Sequence, residues 1–421
     1  MPRLNGSGNV LLTNDQIAKE SLRLLKNELV FARLVHRNLE KEFGKIGDTI
    51  NIKLPYRVKS ASGRTLVKQP LVDRTTTLVV NRQEHVGLQI SQIDRTLSLT
   101  QFSSRYLASG ISQIAHQIDL SIAQCAARQF FFGSGTPGTV VNTDNWADAS
   151  AYMEMVGVPD DGMLRTVLNP LDAAAVGKDV KKLANEGMVK TAIERHYLNM
   201  LSNMEAFKTA QMPNHTVGAL GGTPLVNGAG QTGSSLVTDG WSNSVAALLN
   251  IGDCFTIAGV YEVNPRTYES TGRLQRFTVT TVAASSGAGA STLQISPAIN
   301  DGTLTTVDQE GTSISLAAYQ NVTAAPADNA AITVIGTAGT TYRQNVAFHR
   351  DAIALAMIDI ELPDNAPLAR RVRDPQTGIS LTMVGDFDIN AYNGITRIDA
   401  LWGVKAIYPE LGHRIWSSAL S

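Results

Sequence analysis

The residue types that carry most enzyme chemistry are present in this chain, but they do not form a known catalytic arrangement. The 421-residue sequence contains no G-x-S-x-G elbow, P-loop, H-E-x-x-H or C-x-x-C motif. Its seven histidines are scattered. His116 falls in a long helical stretch, where a structural role is favoured, and His349 precedes an apolar run, where a capping or surface role is favoured. These patterns predict neither a catalytic centre nor a bound cofactor.

An acidic pair and two glycine-rich motifs are the remaining candidates for ligand binding. Asp386 and Asp388 alternate, so a strand would place both carboxylates on one face, but two ligands are too few to predict a cation site. Two stretches, beginning at Gly133 and at Gly228, match G-x-G-x-x-G. Neither follows a strand and opens a helix, so both are interpreted as flexible turns rather than dinucleotide-binding loops. Whether a cation binds near the acidic pair stays open.

The composition is that of a large folded chain with few charges. Hydrophobic residues make up 43% of the sequence and charged residues only 17%, against about 25% in a typical soluble domain. A surface poor in charge suits a protein that is covered by other copies of itself. The formal net charge of −1 offers no strong attraction to nucleic acid or to an anionic membrane, and no apolar run reaches the length of a bilayer span. Cys125 and Cys254 are interpreted as reduced, buried residues.

One predicted helix, Ser103 to Phe131, dominates the first half of the chain. Its apolar residues recur at steps of three and four, which is the spacing of a single stripe on an α-helix. At 1.5 Å per residue the helix would be about 44 Å long. It fits either a long core helix of an α/β enzyme or a spine that organises a flat, elongated subunit. The stripe consists of Leu107, Ile111, Ile114, Ile118, Ile122 and Cys125.

Ahead of this helix, the sequence predicts a long two-stranded ribbon. Thr49 to Leu54 and Thr75 to Val80 alternate as strands do, and His85 to Ile90 reads as a continuation. The segment carries a local charge of +6 but a single aromatic residue, so a solvated or partner-facing ribbon is favoured over a nucleic-acid site. An isolated ribbon of this length is marginally stable, so we expect it to lie on a neighbouring subunit.

Mixed α/β patterns occupy the flanking segments. A helix is predicted from Asn14 to about Phe43, a strand from Met163 to Leu168, and a helix from Pro170 to about Asn185. Strands with a tight turn at Asn393-Gly394 close the chain.

The composition changes between Thr223 and Arg343, where 121 residues include twelve charges and no lysine. Short β signals separated by turn residues predict a small all-β sandwich or barrel. Because the α/β pattern resumes afterwards, the segment is predicted to be an insertion whose ends lie close together; a decorated loop without its own core is the alternative. The predicted strands are Cys254–Ile257, Phe277–Val282, Leu293–Ile295, Ser313–Leu316 and Ile332–Ile335.

Three stretches carry a resemblance to a known family: FGKIGDTINIKLP, NVAFHRDAIAL and GISLTMVGDFDINAYNGITRIDALWGVKAIYPE. In this order, and over essentially its whole length, the chain resembles the major coat proteins of short-tailed Salmonella-type phages. The resemblance implies an α+β chain with the tailed-phage major capsid fold and an inserted all-β, barrel-like domain. The implied parts are an N-terminal arm (1–44), an extended β-loop (45–90), a peripheral domain with the spine helix (91–146), an axial domain (147–222), the inserted domain (223–343), and the second part of the axial domain with strands returning to the peripheral domain (344–421).

The same resemblance implies a structural protein and not an enzyme, one that self-assembles into the icosahedral shell enclosing a tailed-phage double-stranded DNA genome. Its partners would be hexamers and pentamers of itself, a scaffolding protein and a portal, with no sequence-specific DNA binding and no membrane. It would assemble in the bacterial host cytoplasm and reside in the virion capsid. A nanocompartment shell protein of the same fold, or a tail or receptor-binding β protein, is the alternative. Contacts with a neighbour are expected from Arg57, Lys59, Arg64, Lys68, Asp73 and Arg74 of the extended loop.

Overall fold

The structure is a computed structural model whose chain divides into two compact units. The first unit comprises Met1–Asn51, Thr77–Ile122 and Ile353–Lys405, and the second comprises Ile52–Thr76, Ala123–Ala352 and Ala406–Ser421. The residues that the structure describes are 14–37, 49–60, 63–64, 66, 68–69, 74–91, 107–180, 200–307, 313–362, 368–374, 378–388 and 393–420.

Five α-helices lie within the described residues: α1 (Asn14–Glu28), α2 (Phe31–Leu34), α3 (Ala108–Gln129), α4 (Thr143–Val156) and α5 (Pro170–Val180). The predicted N-terminal helix is therefore broken after Glu28. The buried carboxylate of Asp119 accepts hydrogen bonds from the backbone N–H groups of Val30 (2.7 Å) and Ala32 (3.1 Å). These donors belong to the start of α2, so a residue distant in sequence ends one helix and caps the next.

The helix α3 is the predicted spine helix, with 22 residues and a length of about 33 Å. It is shorter than expected at its end, because the chain turns after Gln129 into a strand that begins at Phe132. Residues 103–106, which were expected to open it, lie outside the described residues. All six residues of the apolar stripe are buried, and Cys125, with 8% exposure, is the most accessible of them.

Twenty-two strands lie within the described residues, most of them after the last of these helices. The first eight are β1 (Thr49–Lys53), β2 (Thr75–Val79), β3 (Arg82–Ser91), β4 (Phe132–Ser134), β5 (Leu164–Leu168), β6 (Met200–Leu201), β7 (Met204–Lys208) and β8 (His215–Thr216). The next nine are β9 (Gly222–Val226), β10 (Gly233–Trp241), β11 (Cys254–Val263), β12 (Ser270–Val279), β13 (Ser291–Ile299), β14 (Thr305–Val307), β15 (Ser313–Ser315), β16 (Ile332–Val334) and β17 (Thr341–His349). The last five are β18 (Ile353–Met357), β19 (Leu368–Arg373), β20 (Ser380–Asp388), β21 (Asn393–Ala406) and β22 (Gly412–Ala419).

A five-stranded sheet organises the first unit, in the order β18-β21-β20-β19, with β3 also paired to β21. The predicted ribbon is thus only partly correct: β1 pairs with β2, whereas β3 runs antiparallel to β21 over its whole length. Val86 of β3 approaches α3 so closely that a Cβ on Gly110 would lie 2.9 Å from its Cγ1. The indole N–H of Trp402 donates to the Ser121 hydroxyl at 2.8 Å, which ties β21 to the same helix.

The predicted turn at Asn393-Gly394 is wrong in position. Both residues belong to β21, where Asn393 pairs with Asp388 and Gly394 with Phe387. Residues 389–392, which connect the two strands, lie outside the described residues.

A seven-stranded mixed sheet forms one part of the second unit. Its order is β4-β22-β17-β5-β7-β6, and β8 adds to β17. The pairs β22–β4 and β5–β7 are parallel. Helices α4 and α5 pack over it, and Trp146, Val176 and Met204 are among the residues of the core between them. The predicted strand and helix around Pro170 are present, although α5 is described only to Val180 and residues 181–199 lie outside the described residues.

A six-stranded antiparallel sheet forms another part of the second unit, in the order β16-β11-β12-β13-β10-β9. Its two end strands meet again, since Leu225 bridges Ala331 and the N–H of Val226 donates to Ala330 O at 3.0 Å. The sheet therefore curls into a barrel around its own core, which includes Phe255 and Phe277. The strands β9 and β10 were not predicted. The turn between them contains the second glycine-rich motif, whose glycines all have positive φ.

Candidate functional site

The two arms of the extended loop are tied together beyond the β1–β2 pair. The N–H of Leu54 donates to Arg74 O at 2.8 Å. Further out, the N–H of Lys59 donates to Gln69 Oε1 at 2.8 Å, and the amide of Gln69 donates back to the Lys59 carbonyl. The arms thus stay paired as far as Lys59 and Gln69, and only the residues between them form the tip.

Three of the predicted contact residues lie against their own chain. The Arg57 guanidinium is 3.0 Å from Glu410 Oε1, and its backbone N–H donates to the Tyr319 hydroxyl at 3.2 Å. The Lys59 ammonium lies 4.4 Å from the ring centre of Tyr268. The Arg74 guanidinium lies at the same distance from the Tyr319 ring. Both distances are those of cation–π pairs.

The tip of the loop is exposed. Arg64 and Lys68 are accessible to solvent, and Leu66 between them has 80% of its surface exposed. Asp73, the sixth predicted contact residue, lies outside the described residues. An exposed leucine flanked by two cations is a surface that another molecule can cover.

The other residues singled out in the sequence have structural surroundings. His116 is within 3.1 Å of the Ser112 hydroxyl. His349 is buried, so a surface role is wrong, but its Nδ1 accepts from the N–H of Asp351 at 3.3 Å and its Nε2 lies 3.1 Å from Asp161. Both cysteines of the chain are reduced and buried.

Two kinds of functional element are not observed within the described ranges. No group of three or more His, Cys, Asp or Glu side chains is placed to hold a metal ion among those residues. None of the helices described is both long and apolar enough to cross a membrane.

The most elaborate polar arrangement in the second unit is centred on Arg414 of β22, which is fully buried. Its Nη1 donates to the carbonyls of Ala127 (2.6 Å) and Gly252 (2.7 Å), and its Nη2 donates to the Thr278 hydroxyl (2.6 Å). Cys254 Sγ also contacts Nη2. The guanidinium therefore joins α3, β22 and two strands of the barrel through neutral acceptors, with no carboxylate among these partners.

A buried tyrosine–glutamate pair also joins the barrel to helix α4. The Tyr152 hydroxyl of α4 donates to Glu262 Oε1 of β11, and both residues are buried. Burial raises the pKa of Glu262, although the bond from Tyr152 and the charges of Arg273 and Arg276 oppose that change. We refer to Arg414, Tyr152, Glu262 and their neighbours Arg276 and His413 as the buried polar cluster.

His413 is the least satisfied member of the buried polar cluster. Its ring lies 5.4 Å from that of Tyr152, and neither ring nitrogen has a hydrogen-bond partner in the described part of the chain. Burial lowers the pKa of His413 to about 3, and Arg276 adds electrostatic repulsion. The imidazole is therefore neutral at physiological pH and acts as a packing group.

Two further buried carboxylates organise the surrounding turns. Asp253 accepts from the N–H groups of Asn250 (2.7 Å) and Gly218 (3.0 Å) and lies 2.7 Å from His215 Nε2. Asp172 on α5 is within 3.1 Å of Arg343 and accepts from the Ser417 hydroxyl at 2.7 Å. In both arrangements the carboxylate accepts hydrogen bonds from neighbouring segments and so anchors the local chain.

Sequence reasoning did not find the buried polar cluster. The available signal was a charged residue inside apolar stretches that otherwise predict strands, as with Arg414 in GHRIW and Glu262 in VYEV. A charge at such a position has to be paired or hydrogen-bonded when buried.

Comparison with known proteins gives a match over nearly the whole chain. The family model described as P22 coat protein, gene protein 5, matches residues 11–416. A search of curated proteins finds no match. Among solved structures, the chain is similar to that of Mycobacterium phage Che8, with 12% identity over 92% of this chain and 90% of that one and a TM-score of 0.46.

Two other solved structures are similar to the chain. The capsid structure of the cyanophage P-SCSP1u has 9% identity, covers 99% of this chain and 92% of its own, and has a TM-score of 0.45. The CUS-3 coat protein I-domain has 29% identity over 27% of this chain and 96% of that one, with a TM-score of 0.19.

Proposed function

Because the chain belongs to the P22 coat protein family, it is the structural major capsid protein of a tailed phage, and we propose that it builds the icosahedral shell around a double-stranded DNA genome. As a capsid protein it resides in the virion capsid as part of a homo-oligomeric shell. The single observation that carries the proposal is the family match over residues 11–416. The shell would consist of hexamers and pentamers, in which heterologous contacts close into rings of six and five.

The proposed partners follow from this role. A scaffolding protein and a portal would guide assembly in the host cytoplasm. The formal net charge of −1 suits a shell that encloses DNA without binding it tightly or reading its sequence. No catalytic step is proposed for this chain, since the family to which it belongs consists of structural coat proteins.

We propose the division into an N-terminal arm, extended loop, peripheral domain, axial domain and inserted domain with the boundaries predicted from the sequence. Support for the inserted domain comes from the barrel formed by β9–β13 and β16, which has its own apolar core. Expression of residues 223–343 alone should yield a folded fragment with a cooperative melting transition and dispersed NMR signals. A collapsed, non-cooperative fragment would instead favour a decorated loop that depends on its host.

The direct test of the proposed function is electron microscopy of the purified full-length chain, alone and with candidate scaffolding protein. Closed shells large enough to hold a phage genome are expected. Small shells without room for a genome would favour a storage compartment, and isolated trimers would favour a tail protein.

The neighbour contact of the loop tip has its own test. Reversing the charges of Arg64 and Lys68 to Glu should block assembly while leaving the melting temperature of the subunit unchanged, because both side chains are exposed. Lys178→Glu with Lys208→Glu is the matched control, since both lysines are exposed and the net charge changes equally. Normal shells from the Arg64 and Lys68 variant would exclude the tip as an assembly contact.

A further inference from the structure

We propose that two tyrosines of the barrel form a bracket that holds the arms of the extended loop within the same subunit and leaves only the tip for a neighbour. The tyrosine bracket consists of Tyr268, in the turn between β11 and β12, and Tyr319, in the short turn Ala317–Tyr319. The role of the tip as a contact with a neighbour rests on the proposed function. The contacts of the bracket itself all lie within a single subunit.

The bracket is a built surface rather than a chance contact. The Tyr268 hydroxyl donates to the Ala318 carbonyl at 3.0 Å, so the two turns are joined to each other. Tyr268 itself has φ of +60°, a left-handed conformation that bulky residues rarely adopt. Such conformations persist only where the surrounding structure holds them, and they concentrate at clamps and switch regions. In this conformation the Tyr268 ring lies under the Lys59 ammonium.

Both arms of the loop contact the bracket. The outgoing arm contributes Lys59 to the Tyr268 ring and the N–H of Arg57 to the Tyr319 hydroxyl. The returning arm contributes Arg74 to the Tyr319 ring. Glu410 adds an ion pair with Arg57. The contacts are electrostatically complementary, because a segment rich in cations meets two aromatic π faces and a carboxylate.

The bracket separates two groups of basic residues that the sequence alone places together. Arg57, Lys59 and Arg74 are held within the subunit, and only Arg64 and Lys68 of the described cations project beyond the Lys59–Gln69 pair. Holding both arms reduces the freedom of the tip before a neighbour binds it. Conformational entropy that is already lost in the free subunit does not reduce the affinity between subunits.

Hydrogen exchange on the unassembled full-length subunit tests the bracket without any shell. In the double variant Tyr268→Leu with Tyr319→Leu, amides at positions 54–59 should exchange roughly five- to thirtyfold faster. Amides of the barrel core around Phe277 should keep their protection. If the tyrosine variant loses core protection, the same exchange measurement is made on Lys59→Gln with Arg74→Gln. These two side chains are exposed, so their replacement leaves the barrel folded. Unchanged exchange in the loop arms would overturn the proposal.

Electron microscopy of assembled material then tests the positioning role. Bracket variants should give fewer closed shells, and normal shells from a variant with fast-exchanging arms would overturn that role. Arg64→Ala with Lys68→Ala is the control: assembly should fall while exchange at positions 54–59 stays at the wild-type rate. Normal assembly of this control would count against the neighbour contact under the proposed function, while the exchange result would still decide the bracket.

Discussion

The buried polar cluster and the tyrosine bracket use the same side-chain types at opposite extremes of solvent exposure. In the cluster, Arg414 is fully buried, and its two Nη atoms donate to carbonyl and hydroxyl oxygens. In the bracket, Arg57 retains 40% of its side-chain exposure and pairs with a carboxylate, Glu410, that retains 31%. Judged by charge alone, the ion pair of the bracket would be expected to stabilise the protein more than the buried arginine does.

Burial reverses that ranking. A buried hydrogen bond to a charged donor is costly to lose, because the acceptors left behind cannot reach water. An exposed ion pair is screened by solvent and contributes about 0–1 kcal/mol. The cluster therefore stabilises the subunit, whereas the bracket orients the arms of the extended loop with little gain in stability. The predictions below test this difference, beginning with the largest effect.

Arg414→Met should lower the free energy of unfolding by about 3–5 kcal/mol, because it leaves Ala127 O and Gly252 O without donors and creates a cavity. Chemical denaturation of the unassembled subunit measures the change. Arg57→Met is the matched control and should cost less than about 1 kcal/mol. Equal losses from the two variants would remove the distinction between the regions.

Tyr152→Phe should cost about 1–3 kcal/mol, since it removes the donor to Glu262 but keeps the ring. The loss should be largest at neutral pH, where the carboxylate is charged, and should shrink in acid as it protonates. Tyr319→Phe is the counterpart in the bracket, and its melting temperature should match that of the wild type. A pH-independent effect of Tyr152→Phe would mean that the carboxylate is not the group being stabilised.

His413 predicts a dependence of stability on pH. Its pKa is lowered to about 3 in the folded chain, against about 6.5 when unfolded, so the unfolded chain binds more protons between these values. The contribution of His413 to the free energy of unfolding should therefore fall as the pH falls through this window, by about 1 kcal/mol between pH 6.5 and 5.5. His413→Leu should remove this contribution, and the difference between the denaturation midpoints of the two proteins over pH 4–8 measures it.

The comparison with His413→Leu has to be made against the wild type at each pH. Asp119 contributes with the opposite sign, because burial raises its pKa to about 6 in the folded chain, and the folded state then binds more protons between pH 3.8 and 6. That contribution is common to both proteins and cancels. Parallel profiles would show that His413 is protonated in the folded state or reaches water.

The smallest expected effect belongs to the ion pair of the bracket. Glu410→Gln should change the free energy of unfolding by less than about 1 kcal/mol, and raising the ionic strength should reduce even that. A double-mutant cycle with Arg57→Gln measures the coupling. A coupling above 2 kcal/mol, insensitive to salt, would place this pair in the same energetic class as the buried polar cluster.

Local periodicity explains what the sequence predicted well. The stripe of α3 is visible because residues on one helix face recur every three or four positions, and all six of its members are buried. Most strands of the barrel were found for the same reason, from short apolar runs between turn residues. The missed strand β10 carries Ser, Thr and Gly at most of its positions, so it has little apolar signal.

Interactions between distant residues explain what the sequence did not predict. Asp119 ends α1 and caps α2 from 87 to 89 positions away. The N–H of Arg57 meets Tyr319 across 262 positions. No local pattern encodes such partners, so the first helix was predicted too long. For the same reason, the sequence did not show that Arg57, Lys59 and Arg74 also have partners within their own chain.

The chain leaves the seven-stranded sheet for the barrel and re-enters it at adjacent points. Thr216 of β8 lies opposite Thr341 of β17, and their hydroxyl oxygens are 2.8 Å apart. A segment with such closely spaced ends can be lengthened or trimmed in its outer loops without moving the strands that receive it. Replacing the whole barrel would instead remove the partners of Arg414 and Tyr152, so the insertion can change freely only away from these contacts.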